Sequence, residues 1–498
     1  MPKLRIVACL ALISCVLATP LQSQGNGTDG DDVSRLVAAI LGNTPLIDDL
    51  QVLTDQIGGR ATGSEANLRS VAWALQRFED AGVSTSKEAF TMPALWLERS
   101  ASAKVRGEGV SFSPRVAAMP WSAGTGPDGD SYPLVDAGTG SADDFDRLGA
   151  SARGALLLVE TPMLTDIAGL FVEYTEAAFI EKRAANAGAA GVVYMASRPS
   201  NTLYRHNASY GPGNARPMLV MERDAALRAL RLLRGGTALI LDVMLDIESG
   251  PEYESYNVIA EIRGSRVPDE VVIMGAHLDA WDLGTGALDN GANVAMMIDI
   301  ARQIRRLGLQ PARTIRLALW NGEEQGLVGS YGYTLSHEDE LDGHVVAGSV
   351  DIGCGRINGF FTGGRPEIIP TLDRTLEPVE GLGPFQHIDV PIVGTDNYDF
   401  MMQGVANIVA NHEPATYGPN YHARSDQFHQ CDPQQLRLNT AIIAAVVYGF
   451  AEAEVSWTRQ TRSEIDELIA SSDLEQQMRT FGMWEAWEDG SRGRGEGN

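Results

Sequence analysis

Apolar runs alternate with helix-type spacing through the middle of the chain. Val271 to Ala276 is a continuous β-branched and apolar run, which is typical of a strand buried on both faces. Gly291 to Leu307 has helical spacing, Thr314 to Trp320 is a second apolar strand, and the chain from Gln325 is helical again. This alternation predicts an α/β fold built on a doubly wound, mostly parallel sheet.

The regions on either side of this pattern predict further segments. Pro45 to Gly82 is helical with a break at Gly58-Gly59, and the polar stretch Gln24 to Val33 indicates a flexible linker. Short strand-like runs and turn-forming glycines between 96 and 248 predict a separate α/β module, a lid or specificity domain with few convergent His, Asp or Glu residues. The predicted segments are therefore 1–24, 25–95, 96–248, 249–457 and 458–498, the last a helical extension with a disordered tail from Asp489.

The N-terminus indicates an export signal. Lys3 and Arg5 precede the apolar run Ile6 to Ala18, and small and polar residues follow it. A helix that spans a bilayer needs about 20 apolar residues, so this run predicts a signal peptide and a secreted or periplasmic protein. The residues before Cys15 also resemble a lipoprotein cleavage box, so a lipid anchor at Cys15 is the alternative, and only that anchor would attach the chain to a membrane.

Composition narrows the function classes. The chain has 498 residues, 44% of them hydrophobic and 21% charged, which predicts about two globular domains with extensions and excludes wholesale disorder. The net charge of -26 without a Lys/Arg cluster argues against a nucleic-acid partner. Four cysteines, two of them in the signal, exclude a cysteine zinc site, and Cys354 and Cys431 are either a disulfide or two free thiols.

Candidate metal ligands fall where the predicted strands end. His277 and Asp279 follow the strand that ends at Ala276, and Asp289 precedes a helix. Further along the chain, Glu323 and Glu324 follow the second strand, Asp351 ends the apolar stretch that begins at Val345, and His422 lies in a later loop. Because the carboxyl ends of the strands of a doubly wound sheet collect functional groups, these side chains are expected to converge.

Two zinc ions about 3.5–4 Å apart need a bridging carboxylate, terminal imidazole and carboxylate ligands, and an open position for water. Asp289 is the predicted bridge. The other ligands divide into His277 with Asp351 for one ion and Glu324 with His422 for the second ion. Glu323 is the candidate general base, and Asp279 and Asp426 are expected to orient the imidazoles of His277 and His422.

The ordered set His277-Leu278-Asp279, Asp289, Glu323-Glu324, Asp351 and His422 resembles the zinc-dependent exopeptidases that include bacterial aminopeptidases and glutamate carboxypeptidases. Gly59 to Ser64 and Gly394-Thr395-Asp396 share in the resemblance, which covers most of the chain after the signal. It implies two zinc ions per chain, a phosphorylase-like peptidase fold and a protease-associated domain inserted at 96–248. It also implies hydrolysis of dipeptides or short peptides with a free N-terminus, often by a homodimer.

Two alternatives belong to other functional classes. One is a glutaminyl cyclase-type acyltransferase that uses one zinc ion on the same scaffold, and it would contain one metal ion and cleave no peptide bond. The other is a non-catalytic binding protein, because a fold alone does not determine function. Such a protein would have lost a ligand or the base, whereas Glu323 and all five predicted ligands are present here.

Overall fold

A computed structural model describes residues 29–165, 167–206 and 211–495. The predicted signal segment with Cys15, and the linker residues 24–28, lie outside the described residues. Residues 29–33 of the predicted flexible linker instead begin a helix, Asp29–Ile40, because Val33, Leu36 and Ile40 pack into the main core. In the part of the chain that is described, none of the helices combines the length and apolar character needed to cross a membrane.

Fifteen strands are present among the described residues. In chain order they are β1 (Ser84–Met92), β2 (Leu95–Gly107), β3 (Val110–Phe112), β4 (Val116–Ala118), β5 (Asp130–Asp136), β6 (Leu156–Val159), β7 (Gly191–Met195), β8 (Met218–Met221), β9 (Leu239–Gly250), β10 (Tyr253–Ile262), β11 (Val267–His277), β12 (Arg313–Trp320), β13 (His344–Ser349), β14 (Ile357–Phe361) and β15 (Asn407–His412). They form two sheets, and the strands of the second sheet all fall between Leu95 and Gly250.

The α-helices of the described chain follow the same order. They are α1 (Asp29–Ile40), α2 (Leu46–Gln51), α3 (Glu65–Asp80), α4 (Ala142–Leu148), α5 (Ile167–Asn186), α6 (Arg223–Arg234), α7 (Ala292–Leu307), α8 (Val328–Ser336), α9 (Ile369–Leu376), α10 (Asn397–Met402), α11 (Tyr417–Asn420), α12 (Pro433–Glu452), α13 (Arg462–Ser471), α14 (Leu474–Thr480) and α15 (Trp484–Glu488). The predicted break at Gly58-Gly59 separates the helical stretch that begins at α2 from α3.

The first sheet has seven strands in the order β1-β10-β12-β11-β13-β15-β14. The four central strands from β12 to β15 are mutually parallel, whereas β1, β10 and β14 pair antiparallel at the edges. The predicted α/β class is confirmed, but the parallel arrangement is limited to the centre and the sheet as a whole is mixed. The edge strands escaped the prediction because short apolar runs do not encode strand direction.

Helices cover both faces of this sheet, as a doubly wound fold requires. Strand β11 shows the reason, because Val272 and Met274 point into the core beneath α7 and α12, while Val271 and Ile273 point into a second cluster with Tyr333 of α8. The chain leaves β11 for β12 on one side and later returns to β13 on the other side. This reversal of strand order opens a crevice at the carboxyl end of β11, where α/β proteins bind their ligands.

The second sheet has eight strands in the order β3-β2-β9-β5-β6-β7-β8-β4. Strands β5 to β8 are parallel, and the remaining pairs are antiparallel. Two apolar clusters line its faces, and Trp281 of the loop after β11 belongs to one of them. The second sheet therefore packs directly against the crevice of the first.

The C-terminal extension is packed further than the sequence predicts. The predicted disordered tail begins at Asp489, yet Arg492 is part of a buried ion pair with Asp399 at 2.7 Å. A buried, bidentate arginine pair holds a segment that has little hydrophobic content. The prediction of disorder is wrong for residues 489–495, and residues 496–498 lie outside the described part of the chain.

Candidate metal centre

Three adjacent parallel strands deliver most of the candidate ligands to one place. His277 is the last residue of β11 and lies opposite Trp320, the last residue of β12. Glu323 and Glu324 follow β12 at once, and Asp351 follows β13 on the other side of β11. The strands β12, β11 and β13 are neighbours, so their carboxyl ends place these side chains together at the crevice.

The first group of side chains surrounds the imidazole of His277. Its Nε2 atom lies 3.0 Å from Asp289 Oδ1 and 3.0 Å from Asp351 Oδ1. Glu323 Oε2 is more distant, at 3.9 Å from the same nitrogen. All four side chains are largely buried, so one imidazole nitrogen and three carboxylates share a small volume that is shielded from solvent.

The second group surrounds His422, which lies in the loop after α11. Its Nε2 atom is 2.8 Å from Glu324 Oε2 and 3.4 Å from Asp289 Oδ2. Asp289 thus directs one carboxylate oxygen toward each histidine. The two groups together contain the five predicted ligands and are joined through a single carboxylate.

Two buried side chains hold the loop that carries Asp289. The carboxylate of Asp426 accepts backbone N–H bonds from Ala287 at 3.0 Å, Leu288 at 2.7 Å and Asp289 at 3.1 Å. Arg60 donates from the other side to the carbonyl oxygens of Thr285 and Gly286. The expectation that Asp426 orients His422 is therefore wrong, because its oxygens are engaged by the loop of the neighbouring ligand.

Asp279 contacts His277 through its backbone more closely than through its carboxylate. The Nδ1 atom of His277 is 3.0 Å from the Asp279 carbonyl oxygen and 3.6 Å from Asp279 Oδ1. The other carboxylate oxygen accepts a hydrogen bond of 2.7 Å from the Thr62 hydroxyl. A carbonyl acceptor at Nδ1 requires a proton there, so Nε2 is the nitrogen that faces the cluster of carboxylates.

The density of negative charge in the crevice changes the acidity of its groups. Burial is the main cause that raises the pKa of both Glu323 and Glu324 well above that of an exposed glutamate, and neighbouring carboxylates raise it further. Burial also lowers the pKa of His422 to about 4. For His277, burial acts to lower the pKa, but the nearby charges of Asp351 and Glu323 outweigh it and raise the pKa well above 6.5.

The donor set fits divalent cations. Among the five predicted ligands, three buried oxygens accept no hydrogen bond from the residues that the structure describes, namely Asp289 Oδ2, Glu324 Oε1 and Asp351 Oδ1. A buried carboxylate oxygen without a donor is costly unless a cation balances it. Imidazole nitrogens with carboxylate oxygens are ligands that zinc accepts, so the residues present match the predicted metal.

Two further residues of the centre, Arg60 and Asp396, had no role predicted from the sequence. Arg60 is fully buried and belongs to the Gly59 to Ser64 stretch, where a Cβ on Gly59 would lie 2.6 Å from Asp282 Cα. Asp396 is 2% exposed, and burial raises its pKa well above the usual value, with a further contribution from Asp351. Both stretches stood out only as motifs of the resemblance, because the interactions that define their roles are with residues far away in the sequence.

Comparison with known proteins follows from this geometry. Residues 257–447 match the model of peptidase family M28. The chain is 27% identical over 410 residues to carboxypeptidase Q of Bos taurus, covering 81% of this chain and 85% of that protein. It also resembles the crystal structure of a peptidase M28 precursor from Shewanella amazonensis, with 26% identity, a TM-score of 0.78, and coverage of 87% of this chain and 99% of that one.

A more distant likeness is limited to the fold. The structure of a zinc aminopeptidase from Bacillus subtilis has 21% sequence identity to this chain and a TM-score of 0.64. The alignment covers 81% of this chain and 93% of that one, so the likeness extends over most of the fold.

Proposed function

We propose that this chain acts as a di-zinc exopeptidase. The premise is that residues 257–447 belong to peptidase family M28 and that the chain is a zinc metallopeptidase. Its substrates are dipeptides or short peptides with a free N-terminus. Two zinc ions per chain are held by His277, Asp289, Glu324, Asp351 and His422, and Glu323 is the general base.

The observation that carries this proposal is the position of Asp289 between two sets of donors. One of its oxygens faces His277, which also lies 3.0 Å from Asp351, and the other faces His422, which also lies 2.8 Å from Glu324. A carboxylate shared by two such sets is what a pair of closely spaced metal ions requires. A centre for a single ion would give no reason to keep both sets buried and charged.

The remaining carboxylate of the centre has a different task. When bound, the zinc ions would polarise the scissile carbonyl and acidify the attacking water. Glu323 lies beside His277 but is the most distant of its carboxylate neighbours, which leaves its Oε2 atom free to take a proton from that water. Burial keeps this carboxyl group basic, so it can hold the proton and deliver it to the leaving amine.

Two small cavities lie beside the metal centre. One is lined by Leu170, Tyr174 and Tyr421, and the second is lined by Trp281 and Gly284. Both reach His422, so they flank the proposed metals. Trp281 contributes to a cavity and also packs edge-on against His422 at 6.2 Å.

The location and domain organisation of the protein complete the proposal. We place it outside the cytoplasm, on the N-terminal signal-like segment and on the disulfide between Cys354 and Cys431, which persists in oxidising compartments. The second sheet with its helices corresponds to the proposed protease-associated insertion at 96–248. The homodimer stays a prediction of the sequence. The lipid anchor at Cys15, as the alternative to an unanchored protein, also stays a prediction.

Profiling of a dipeptide and tripeptide library by mass spectrometry, with and without a chelator, tests the proposed activity. We expect cleavage of peptides with a free N-terminus, loss of cleavage with chelator, and recovery on addition of zinc. Libraries with acetylated N-termini or amidated C-termini provide matched controls, because they show which terminus is needed. Cleavage that persists in excess chelator, or cleavage restricted to internal bonds of blocked peptides, would contradict the proposal.

A further inference from the structure

The segment between β7 and β8 pairs with the loop that carries His422. The Arg205 N–H donates to the His422 carbonyl oxygen at 2.9 Å, and the Arg424 N–H donates to the Leu203 carbonyl oxygen at 2.9 Å. Between them, Tyr204 and Ala423 form an antiparallel bridge. A short stretch of the second sheet's chain thus aligns the backbone on both sides of His422.

This pairing coincides with a strained backbone at His422. Its φ angle is +55°, in the left-handed region that a residue other than glycine enters at a cost of about 1–2 kcal/mol. The carbonyl oxygen of the preceding Tyr421 accepts a hydrogen bond of 3.2 Å from Arg198 Nε, again from the second sheet's chain. Strained residues persist when their surroundings fix them, and here the fixing contacts come from outside the His422 loop.

The side chain of Arg205 extends to the other ligand-bearing loop. Its Nη2 atom lies 2.9 Å and 3.1 Å from the two carboxylate oxygens of Asp282, which stands between His277 and Asp289 in the chain. Its Nη1 atom donates to Glu98 at 2.6 Å and to the Ala118 carbonyl oxygen at 2.8 Å. The side chain is only 1% exposed, so this planar fork is a fixed connection between the second sheet and the loop.

One residue therefore touches two of the three stretches that hold the second group of ligands. Through its backbone Arg205 fixes His422, and through its guanidinium it fixes the loop that ends at Asp289. The aromatic rings beside it follow the same path, since Trp96 packs against Trp281 at 6.2 Å and Trp281 packs against His422 at 6.2 Å. The chain of the second sheet does more than shield the metal centre from solvent, because shielding alone would need no hydrogen bond to the backbone of a ligand such as His422.

We propose that Arg205 is a positioning residue for the metal ion held by His422 and Glu324, so that the region carrying the second sheet completes the metal centre. This inference rests on the proposed di-zinc function. Groups that orient metal ligands without touching the metal contribute about 10- to 100-fold in metal affinity. Both Arg205 variants keep the backbone bond to His422, so the substituted side chain acts through its other contacts. Its guanidinium lies 5.6 Å over the ring of Trp96, which leads through Trp281 to His422, whereas its hydrogen bonds within the described residues go to Asp282, Glu98 and Ala118 and to neither His277 nor Asp351, so the effect is directed to one ion.

Zinc binding by the full chain tests the inference without relying on activity. We compare wild type with Arg205→Ala, Arg205→Lys and the control Arg99→Ala, whose partner Glu248 lies in an exposed pair of the same sheet. The measurement is the affinity of each zinc ion by competition with a chromophoric chelator, together with zinc per chain by elemental analysis. Arg205→Ala should weaken one ion by about 10- to 100-fold and leave the other unchanged, Arg205→Lys should fall between, and Arg99→Ala should match wild type.

Each outcome decides a separate question. Two ions of wild-type affinity in Arg205→Ala, or equal weakening of both ions, would overturn the role of Arg205 while the proposed function stands. A wild type that binds no zinc would instead overturn the proposed function. If Arg205→Ala does not fold, Asp282→Asn gives the decision, because it removes the charge partner at a side chain that is 31% exposed. Selective weakening of one ion in Asp282→Asn supports the inference, and unchanged binding rejects it.

Discussion

At the scale of single residues, neighbouring glutamates have different surroundings. Glu324 Oε2 lies 2.8 Å from His422 Nε2, whereas Glu323 Oε2 is 3.9 Å from His277 Nε2. The first distance suits two ligands of one ion, and the second leaves room for a water molecule to approach the base. The two residues are adjacent in sequence, so their distinct tasks arise from the turn that follows β12.

Replacing Glu323 by Gln separates these tasks. Glu323→Gln keeps the shape of the side chain but cannot accept a proton, so turnover on a cleavable dipeptide should fall by at least about 100-fold. Zinc per chain should stay at the wild-type value, measured by elemental analysis on the same sample. Glu324→Gln is the matched comparison, and it should lose zinc as well as turnover. Near-normal turnover in Glu323→Gln would reject its assignment as the base.

Outside the metal centre, the buried His344 links the stability of the fold to pH. Burial lowers the pKa of His344 to about 4. Its Nδ1 is 3.0 Å from the Glu340 carbonyl oxygen, and its Nε2 is 3.0 Å from the Tyr333 hydroxyl, which accepts from Arg316 and so donates its own proton to Nε2. Protonation of His344 would break that last bond.

The sign of the pH effect follows from the lowered pKa. His344 binds a proton at about pH 6.5 in the unfolded chain but only at about pH 4 in the folded chain. Its contribution to the free energy of unfolding is therefore fully present above pH 6.5. The free energy of unfolding falls by about 3 kcal/mol as the pH falls to 4. Between pH 7 and pH 5, the melting temperature of His344→Gln should therefore fall by less than that of wild type. The exposed His429→Gln should behave as wild type. Equal pH dependence in all three proteins would contradict this account.

The sequence could single out the candidate ligands because most of them stand next to a predicted strand or helix, and the structure brings all five together. It could not specify how Asp279 and Asp426 are held. One carboxylate oxygen of Asp279 accepts from Thr62 and the other lies 3.6 Å from the His277 ring, whereas Asp426 accepts from the backbone around Asp289. Hydrogen-bond partners of this kind depend on tertiary contacts between distant segments. Spacing along one chain therefore identifies the metal-ligand types better than the groups that orient them.

At the scale of elements, the C-terminal segment secures the turn that contains the glutamates. Arg492 pairs with Asp399 of α10 through bonds of 2.7 Å and 2.8 Å. The same guanidinium donates to the carbonyl oxygens of Gly326 at 3.2 Å and Leu327 at 3.3 Å, just after Glu324. These contacts were not predicted, because the glycine-rich composition of the segment from Asp489 is typical of a disordered tail.

Arg492→Ala should destabilise the fold. The substitution leaves Asp399, which is 2% exposed, without its charge partner, and losing one member of a buried pair costs about 3–5 kcal/mol. Thermal unfolding monitored by circular dichroism should show a clear fall in melting temperature. Arg99→Ala, which removes only an exposed pair, is the control and should melt like wild type. A melting temperature for Arg492→Ala equal to that of the control would show that the contacts of Arg492 contribute nothing to the stability of the fold.

Helices and central strands were the elements best predicted from sequence. The run from Val271 to Ala276 became β11, and Gly291 to Leu307 became α7, within a residue or a few at each end. Long helices and doubly buried strands carry a strong periodic signal, whereas strands β1, β10 and β14 acquire their antiparallel direction only from their partners. The order of the strands is a tertiary property that local patterns do not contain.

At the scale of the whole molecule, two sheets meet where the metals are proposed to bind. The sequence separated a module at 96–248 from the rest by a change in pattern, but its bonds to the His422 loop through Arg205 appear only in three dimensions. The net charge of -26 suits small substrates rather than nucleic acid, and several of the carboxylates are concentrated in the buried centre. Bound cations would offset that local repulsion and link metal binding to stability.

The number of zinc ions per chain tests this account most directly. Elemental analysis of the purified wild-type protein should give two zinc ions per chain, and Asp289→Ala should give none, because Asp289 is the only ligand shared by both groups. Glu323→Gln serves as the control that keeps both ions. One zinc ion in the wild type without cleavage of any peptide bond, or two ions retained in Asp289→Ala, would contradict the di-zinc exopeptidase.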